Sequence, residues 1–256
     1  DVTVRGRFAP TPSGRMHLGN LRAALLAWLD VRRQGGAMVL RVEDLDPQRT
    51  SLDYARQIVD DLAWLGLDWD EGGVEPEWCQ SRRGAYYQAA FEKLKEMGLV
   101  YPCYCSRAQR LAASAPHRAD GSVVYDGRCA RLTIREREDL EREGRRPAWR
   151  VRVPEEWVAV ADGHLGPYAE YLPRDCGDFI LRRSDGVWAY QLAVVVDDAL
   201  MGITRVVRGA DLLPSAPRQA WLHRVLGYEP PQFFHLPLLV DPSGRRLAKR
   251  DRDLDM

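Results

Sequence analysis

Lysine is scarce in this chain. Only Lys93, Lys95 and Lys249 stand among the 37 basic residues, so arginine is the default cation. Against that background a lysine marks a place that needs a compact ammonium rather than a planar fork. Lys93 and Lys95 fall on an ordinary helical stretch, which leaves Lys249 as the informative one. An excess of one charge is also missing. Acidic residues number 37 as well, for a net charge of +0, so the overall field neither points to nucleic acid nor argues against it. No apolar run approaches the roughly 20 residues of a membrane-spanning helix, and no membrane is expected as a partner. The opening "DVTVRGRF" lacks a basic region followed by a hydrophobic segment, so a signal peptide is not expected either. Cysteines are few and odd in number, five in all, and only Cys103, Cys105 and Cys129 are grouped. That pattern suits a metal in a reducing, cytoplasmic setting better than a disulfide framework. There is no internal repeat and no low-complexity segment. What remains is an ordinary globular composition, 45% hydrophobic and 29% charged over 256 residues, long enough to bury a substantial core.

Elements follow from patterning. "VTVRGRFAP" alternates as a short strand stopped at Pro10. "LRAALLAWLDVRRQGG" carries Leu21, Ala24, Leu25, Trp28 and Leu29 at helical spacing and ends at Gly35 and Gly36. "AMVLRVEDLDP" reads as a strand ending in acids. "SLDYARQIVDDLAWLG" opens on Ser51 as N-cap and repeats Tyr54, Ile58, Leu62 and Leu65 on one face. A further helix is expected from Ser81 to the stop at Gly98. Strand, helix, strand, helix predicts an α/β fold with a parallel sheet and right-handed crossovers. From Tyr101 the texture changes to cysteines, small residues, the charged helix "TIREREDLEREG" and short strands such as "AWRVRVP". Long apolar strands are then expected in "GVWAYQLAVVVDDALMGITRVVRGADL". Residues 101–187 therefore read as an insertion between two halves of one domain, 1–100 and 188–256.

The stretch "RFAPTPSGRMHLGN" is poor secondary structure, broken by two prolines and two glycines just before a well-patterned helix. A strand, a glycine-containing turn and a helix N-terminus make an anion site out of backbone N–H groups. Gly14 and Gly19 let the main chain approach a ligand. His17 sits where its imidazole can donate to a phosphate oxygen. A glycine-rich turn with a satisfied surface histidine is the plainer alternative.

"PTPSGRMHLGN", taken with "RRLAKR" near the other end, resembles the signature pair of class I aminoacyl-tRNA synthetases. His17-Leu18-Gly19-Asn20 is similar to the first motif, and Arg246-Leu247-Ala248-Lys249-Arg250 to the mobile lysine loop. "LRVEDLD", "AYQLAVVVDDALMGITRVVRGADLL" and "PLLVDPSGRRLAKR" extend the likeness to the glutamyl branch over nearly the whole chain. Asn20 stands where a second His is common, Ala248 where Ser is common, and Thr11 replaces a frequent Ser. The resemblance implies a Rossmann-like catalytic domain that joins the carboxylate of L-glutamate to the α-phosphate of ATP and releases pyrophosphate. His17 and Lys249 would be catalytic, with Gly19 and Asn20 beside them at ATP, whose Mg²⁺ shares the charge.

Glutamate has two carboxylates and an ammonium, so its pocket needs two cations and an acid. The resemblance places Arg7, Phe8, Ala9, Pro10, Thr11, Glu43, Tyr190 and Arg208 there. Arg forks would hold the carboxylates, and Glu43 would pair with the α-ammonium.

A tetrahedral zinc site wants four ligands. Cys103, Cys105 and Cys129 supply three, and on chemistry alone His117 is the natural fourth, with Asp126 behind it. The short glutamyl-type enzymes that the chain resembles carry C-x-C … Y-x-x-x-C, which selects Tyr125 and implies one structural Zn²⁺ per chain. Cys79 and Cys176 read as ordinary buried cysteines. The sequence stops seven residues after Lys249, at Met256, so the helical anticodon-binding region of a full glutamyl-tRNA synthetase is not expected. It thus resembles the glutamyl-queuosine tRNA(Asp) synthetase family, which attaches glutamate to queuosine at the wobble position of tRNA(Asp). "RGADLLPSAPRQ" is similar to that family too. A monomer is expected. The insertion is the expected RNA face, through Arg131, Arg135, Arg137, Arg145 and Arg146; a solvated helix balanced by Glu136, Glu138 and Asp139 is the alternative. A catalytic fragment of a glutamyl-tRNA synthetase and a non-catalytic RNA-binding relative are the other functional readings.

Overall fold

A computed structural model of the chain describes residues 3–105 and 124–246. His117, Leu247, Ala248, Lys249 and Arg250, singled out from the sequence, lie outside the described residues.

The first half is a parallel sheet with its crossover helices. Strand β1 (Arg5–Phe8) pairs in parallel with β2 (Ala37–Leu40), and β2 with the short β3 (Glu71–Gly72). Helix α1 (Leu18–Arg32) makes the first crossover and α2 (Leu52–Trp64) the second. Ser51 caps α2 by accepting from the Tyr54 N–H. The buried stripe of α2 is Ala55, Ile58 and Leu62, while Tyr54 and Leu65 are exposed. In α1, Leu21, Ala24 and Trp28 pack on the core, but Leu25 and Leu29 face outward. In both helices the apolar pattern was wider than the face that β1 and β2 cover.

Helix α3 (Gly84–Glu96) is preceded by a 3₁₀ turn at Gln80–Arg82 and stops before Gly98, whose φ of 73° is the left-handed conformation of a C-terminal stop. Lys93 donates to the Leu226 carbonyl, and Lys95 lies over the Trp149 ring.

Between Val100 and Arg182 the pairing becomes antiparallel. Strands β4 (Val100–Cys103), β5 (Ala148–Val151) and β8 (Phe179–Arg182) form one sheet, in the order β4-β5-β8. A separate hairpin joins β6 (Trp157–Asp162) to β7 (Gly166–Tyr171). Helix α4 (Ile134–Arg142) is the expected charged helix, opened by a capping box between Thr133 and Glu136.

The second half departs from expectation. Tyr190–Leu200, read as part of a long apolar strand, is a helix, α5. Its Val194-Val195-Val196 run suits a strand by propensity. It is instead a helix buried nearly all round, for which a short apolar run carries no distinguishing period. Only Arg205–Gly209 (β9) is a strand, and after helix α6 (Ser215–Leu226) it pairs in parallel with β10 (Gln232–Leu236). Strand β9 lies beside β1: the Thr204 N–H donates to the Arg5 carbonyl, and the Arg5 N–H to Thr204 Oγ1, both at 2.9 Å. The two parallel ladders thus meet at β1, which puts the carboxyl ends of β1, β2 and β9 side by side. In open α/β folds that edge is where ligands bind.

Candidate active site

His17 is the N-cap of α1. Its Nδ1 accepts from the Gly19 N–H at 3.0 Å, and Asn20 Oδ1 accepts from the His17 N–H at 3.2 Å. The imidazole therefore carries its proton on Nε2. A Cβ on Gly19 would come within 2.8 Å of the imidazole, so glycine there gives the histidine room to fold back. The Gly19 N–H and the Asn20 side-chain oxygen are both engaged by His17. Among the described residues the Asn20 amide nitrogen has no hydrogen-bond partner.

Four of the residues expected around glutamate converge. Arg7 lies in β1, Glu43 follows β2, Tyr190 opens α5 and Arg208 lies in β9. The electrostatic neighbours of Tyr190 are Arg208, Glu43, Arg7 and Asp198. Hydrogen bonds continue past the strand ends and hold the segments in place: Arg41 N–H to the Phe8 carbonyl and Glu43 N–H to the Pro10 carbonyl, both at 2.9 Å. Ala9, Pro10 and Thr11 are half-buried along this edge. Phe8 differs, because its side chain packs in the core with Met16, Val31 and Met38; toward a ligand it can offer only backbone.

Beneath the pocket lies a charge network that the sequence reading missed. Asp198 accepts from Arg7 Nε at 3.0 Å and from Arg41 Nη1 at 2.8 Å. Arg41 is fully buried and also donates to Glu43 from Nε and Nη2, at 3.2 and 3.0 Å. Gln80 Nε2 bridges Glu43 and Asp197, and Asp197 further accepts from Arg83 and the Tyr87 hydroxyl. Burial alone would raise the Asp198 carboxyl, but Arg7 and Arg41 hold it well below the usual range. For Glu43 burial prevails over Arg41 and Arg7, and its pKa rises. A signal for this layer was present: two consecutive aspartates inside an apolar run are buried only if paired.

Arg208 is 6% exposed. Its Nε donates to His235 Nε2 at 3.0 Å and its Nη1 to Gln219 Oε1 at 2.8 Å. Its Nη2 is buried without a partner among the described residues. A buried guanidinium with one open donor face is costly unless a ligand acceptor completes it. Burial lowers its pKa.

The cysteine cluster is a second polar site, formed at the end of β4 and in the turn around Cys129. The three Sγ atoms lie within 4.8 Å of one another, all buried. Cys105 and Cys129 are 3.8 Å apart, and Tyr125 Oη lies 3.5 Å from Cys103 Sγ and 3.7 Å from Cys105 Sγ. A tetrahedron with metal–sulfur bonds of about 2.3 Å and a metal–oxygen bond of about 2.1 Å has edges of about 3.8 and 3.6 Å. These three separations match those edges, so the cluster could hold a zinc-sized ion. Burial would raise the Cys103 thiol, but Arg150, with Nε 3.1 Å from its sulfur, lowers it overall; Cys105 is pushed up to about 12 by burial. Arg150 also stacks on Tyr125, 3.6 Å from the ring centroid. Asp126 is taken up by Arg128. Cys79 is buried, whereas Cys176 is only half-buried.

The expected RNA face is not uniformly basic. Helix α4 alternates Arg135, Arg137 and Arg142 with Glu136, Glu138, Asp139 and Glu141. Arg145 donates to the Tyr104 carbonyl and Arg131 to that of Asp126.

The sequence matches the model of the class I tRNA synthetases (E and Q), catalytic domain, over residues 3–255. It is 52% identical over 99% of its length to the glutamyl-Q tRNA(Asp) synthetase of Nitratidesulfovibrio vulgaris, covering 80% of that protein. It is 54% identical over 96% of its length to that of Symbiobacterium thermophilum, covering 77%. Among solved structures it resembles the glutamate-tRNA synthetase of Elizabethkingia anophelis, with a TM-score of 0.83 and 31% identity over 97% of this chain. The chain spans about half (53%) of that longer protein. Among the described residues no helix is long and apolar enough to cross a membrane. The chain belongs to the class I (E and Q) tRNA synthetase family, in its glutamyl-Q tRNA(Asp) synthetase group.

Proposed function

We propose that the strand-end pocket binds L-glutamate and ATP, forms glutamyl-adenylate, and passes the glutamyl group to queuosine at the wobble position of tRNA(Asp). The observation that carries the pocket is the buried Arg208, with its unmatched Nη2 and with Tyr190, Arg7 and Glu43 as electrostatic neighbours. The side-chain carboxylate pairs with Arg208, and the α-ammonium meets Glu43. Arg7 then lies beside the reacting carboxylate, held by Asp198 so that its position is set before substrate arrives. A carboxylate oxygen attacks the α-phosphorus of ATP, and the bond to the departing pyrophosphate breaks. A queuosine hydroxyl then attacks the activated carbonyl carbon, and AMP leaves. The protein contributes positioning and charge neutralisation, with His17 Nε2–H at the mouth of α1 and Lys249 from the lysine loop as donors to phosphate. Mg²⁺ enters with ATP as part of the substrate.

Cys103, Cys105, Cys129 and Tyr125 would hold one structural Zn²⁺, which ties β4 to the Arg128–Arg131 turn. On this reading residues 101–187 are the inserted subdomain that meets the tRNA, between catalytic halves 1–100 and 188–256. The names of the relatives and the pocket chemistry support the reading together.

Labelled glutamate, ATP and queuosine-containing tRNA(Asp), followed by nuclease mapping, test it. Label in the anticodon loop is the expected result. Label at the 3′ end of tRNA(Glu) would replace it with the activity named for the longer structural neighbours, and no transfer to either RNA would overturn it.

A further inference from the structure

Arg208 is held from behind by a chain of groups that begins in the β6–β7 hairpin, outside the parallel sheet. An arginine can only donate. Since Arg208 Nε lies 3.0 Å from His235 Nε2, that imidazole nitrogen must be bare, and the ring proton sits on Nδ1. There it donates to Asp162 Oδ2. The other Asp162 oxygen accepts the backbone N–H groups of His164, Leu165 and His235, at 3.0, 2.9 and 3.3 Å. Asp162 and His235 are both buried, at 4% and 0% exposure. The hairpin tip is seated on β10: the Gly163 N–H donates to the Phe233 carbonyl at 2.9 Å, and a Cβ on Gly163 would fall 2.0 Å from the Phe234 ring. On the far side Gln219 fixes Nη1 and is itself held by Gln191. Two of the three guanidinium nitrogens are thus engaged, and Nη2 is the one without a partner among the described residues.

We propose that Asp162 and His235 are positioning residues for glutamate recognition: Asp162 selects the Nδ1–H tautomer of His235, whose bare Nε2 orients Arg208 so that Nη2 faces the substrate's side-chain carboxylate. The inference rests on the assignment of that carboxylate to Arg208. It gives the inserted hairpin a part in amino-acid specificity, through a contact that crosses 73 residues of sequence. In agreement, burial first and the Arg208 charge second lower the His235 pKa to about 4, so the ring is neutral near pH 7.

Asp162→Asn is the sharpest probe. Asparagine Oδ1 can keep the three backbone donors, but its amide then faces Nδ1 as a donor. The histidine must respond by moving its proton to Nε2, where it opposes the Arg208 N–H. In glutamate-dependent ATP–pyrophosphate exchange with the full chain, KM for glutamate should rise about tenfold or more, as for a lost hydrogen bond to a charged group. KM for ATP should stay within about twofold, because nothing in the chain of contacts leads to the phosphates. His235→Gln restores an acceptor and should stay near the unaltered KM, whereas His235→Leu should behave like Asp162→Asn. The ¹⁵N spectrum of the unaltered protein should show His235 protonated on Nδ1. A proton on Nε2, an unchanged glutamate KM in a folded Asp162→Asn protein, or equal behaviour of the Gln and Leu variants would overturn the relay. If the Asn variant does not fold, the spectrum and the His235 pair still decide. If the unaltered protein shows no glutamate-dependent exchange, the assignment of glutamate falls, while the tautomer still reports on the relay separately.

Discussion

The strand-end pocket and the cysteine cluster solve the problem of burying charge in opposite ways. In the pocket, opposite charges come from distant parts of the chain and neutralise one another: Asp198 lies between Arg7 and Arg41, and Arg41 reaches on to Glu43. Beside it, among the described residues, Arg208 Nη2 is a buried cationic donor without a partner. In the cluster, three like groups and a phenol gather with Arg150 as the cation against them. As thiolates they would repel, so an external cation is what that geometry suits. The first arrangement is preformed and offers an opening for an anionic group; the second is a socket for a positive ion. On the proposed reading one region selects a substrate and the other fastens an insertion.

The largest effect expected from breaking this contrast is at Arg208. Arg208→Ala should reduce glutamate-dependent pyrophosphate exchange by on the order of 10³ or more, because the site is built to pair a carboxylate, with ATP binding retained by calorimetry. Unchanged steady-state kinetics would remove the pocket assignment.

Asp198→Ala should come next, measured as stability. It leaves Arg7 unpaired and Arg41 with Glu43 alone in a buried layer, and such a loss costs ~3–5 kcal/mol in urea unfolding. A change no larger than that of an exposed ion pair would show that the network is not what neutralises the pocket.

In the cluster, elemental analysis of metal-replete protein should give one zinc per chain, and Cys129→Ala should lose it. Amide protection should then fall around 101–105 and 125–132, with KM for glutamate and ATP held within about twofold, because opening of such units is local. A zinc count of zero in the unaltered, well-folded protein would end the metal assignment.

The smallest effect is in pH. His235 has a folded-state pKa of about 4, below the ~6.5 of an unfolded histidine, so the unfolded chain takes up the proton first. Its contribution to stability is complete above about pH 6.5 and declines as pH falls toward about 4. Asp198, held lower still, contributes above the ordinary carboxylate pKa and loses its contribution only as pH falls below it. Urea midpoints between about pH 7 and 4.5 should therefore drop with a slope that His235→Gln flattens. A slope unchanged by that substitution would assign the acid sensitivity elsewhere.

Much of the first half was legible because its signals are local. Ser51 caps its helix, the strand–turn–helix around His17 stands where the prolines and glycines put it, and the three grouped cysteines meet. Recognition of the glutamyl branch came from motifs, and Arg7, Glu43, Tyr190 and Arg208 entered with it. The Val194–Val196 run misled, since β-branched residues fill a helix buried nearly all round as readily as a strand once packing outweighs propensity. Leu25 and Leu29 misled in the other direction, because helical spacing does not say how much of a face a neighbour will cover.

Residue order alone determined the alternation of strands and crossover helices, the reading of the family, and the chemistry available at each motif. Those depend on neighbours a few positions apart. Which cation faces which acid was decided only in three dimensions. Arg41 against Asp198, His235 between Asp162 and Arg208, and Tyr125 against Cys103 join groups from 22 to 157 positions apart. A buried charge is tolerable only beside its partner, and chain folding, not spacing along the chain, brings the two together.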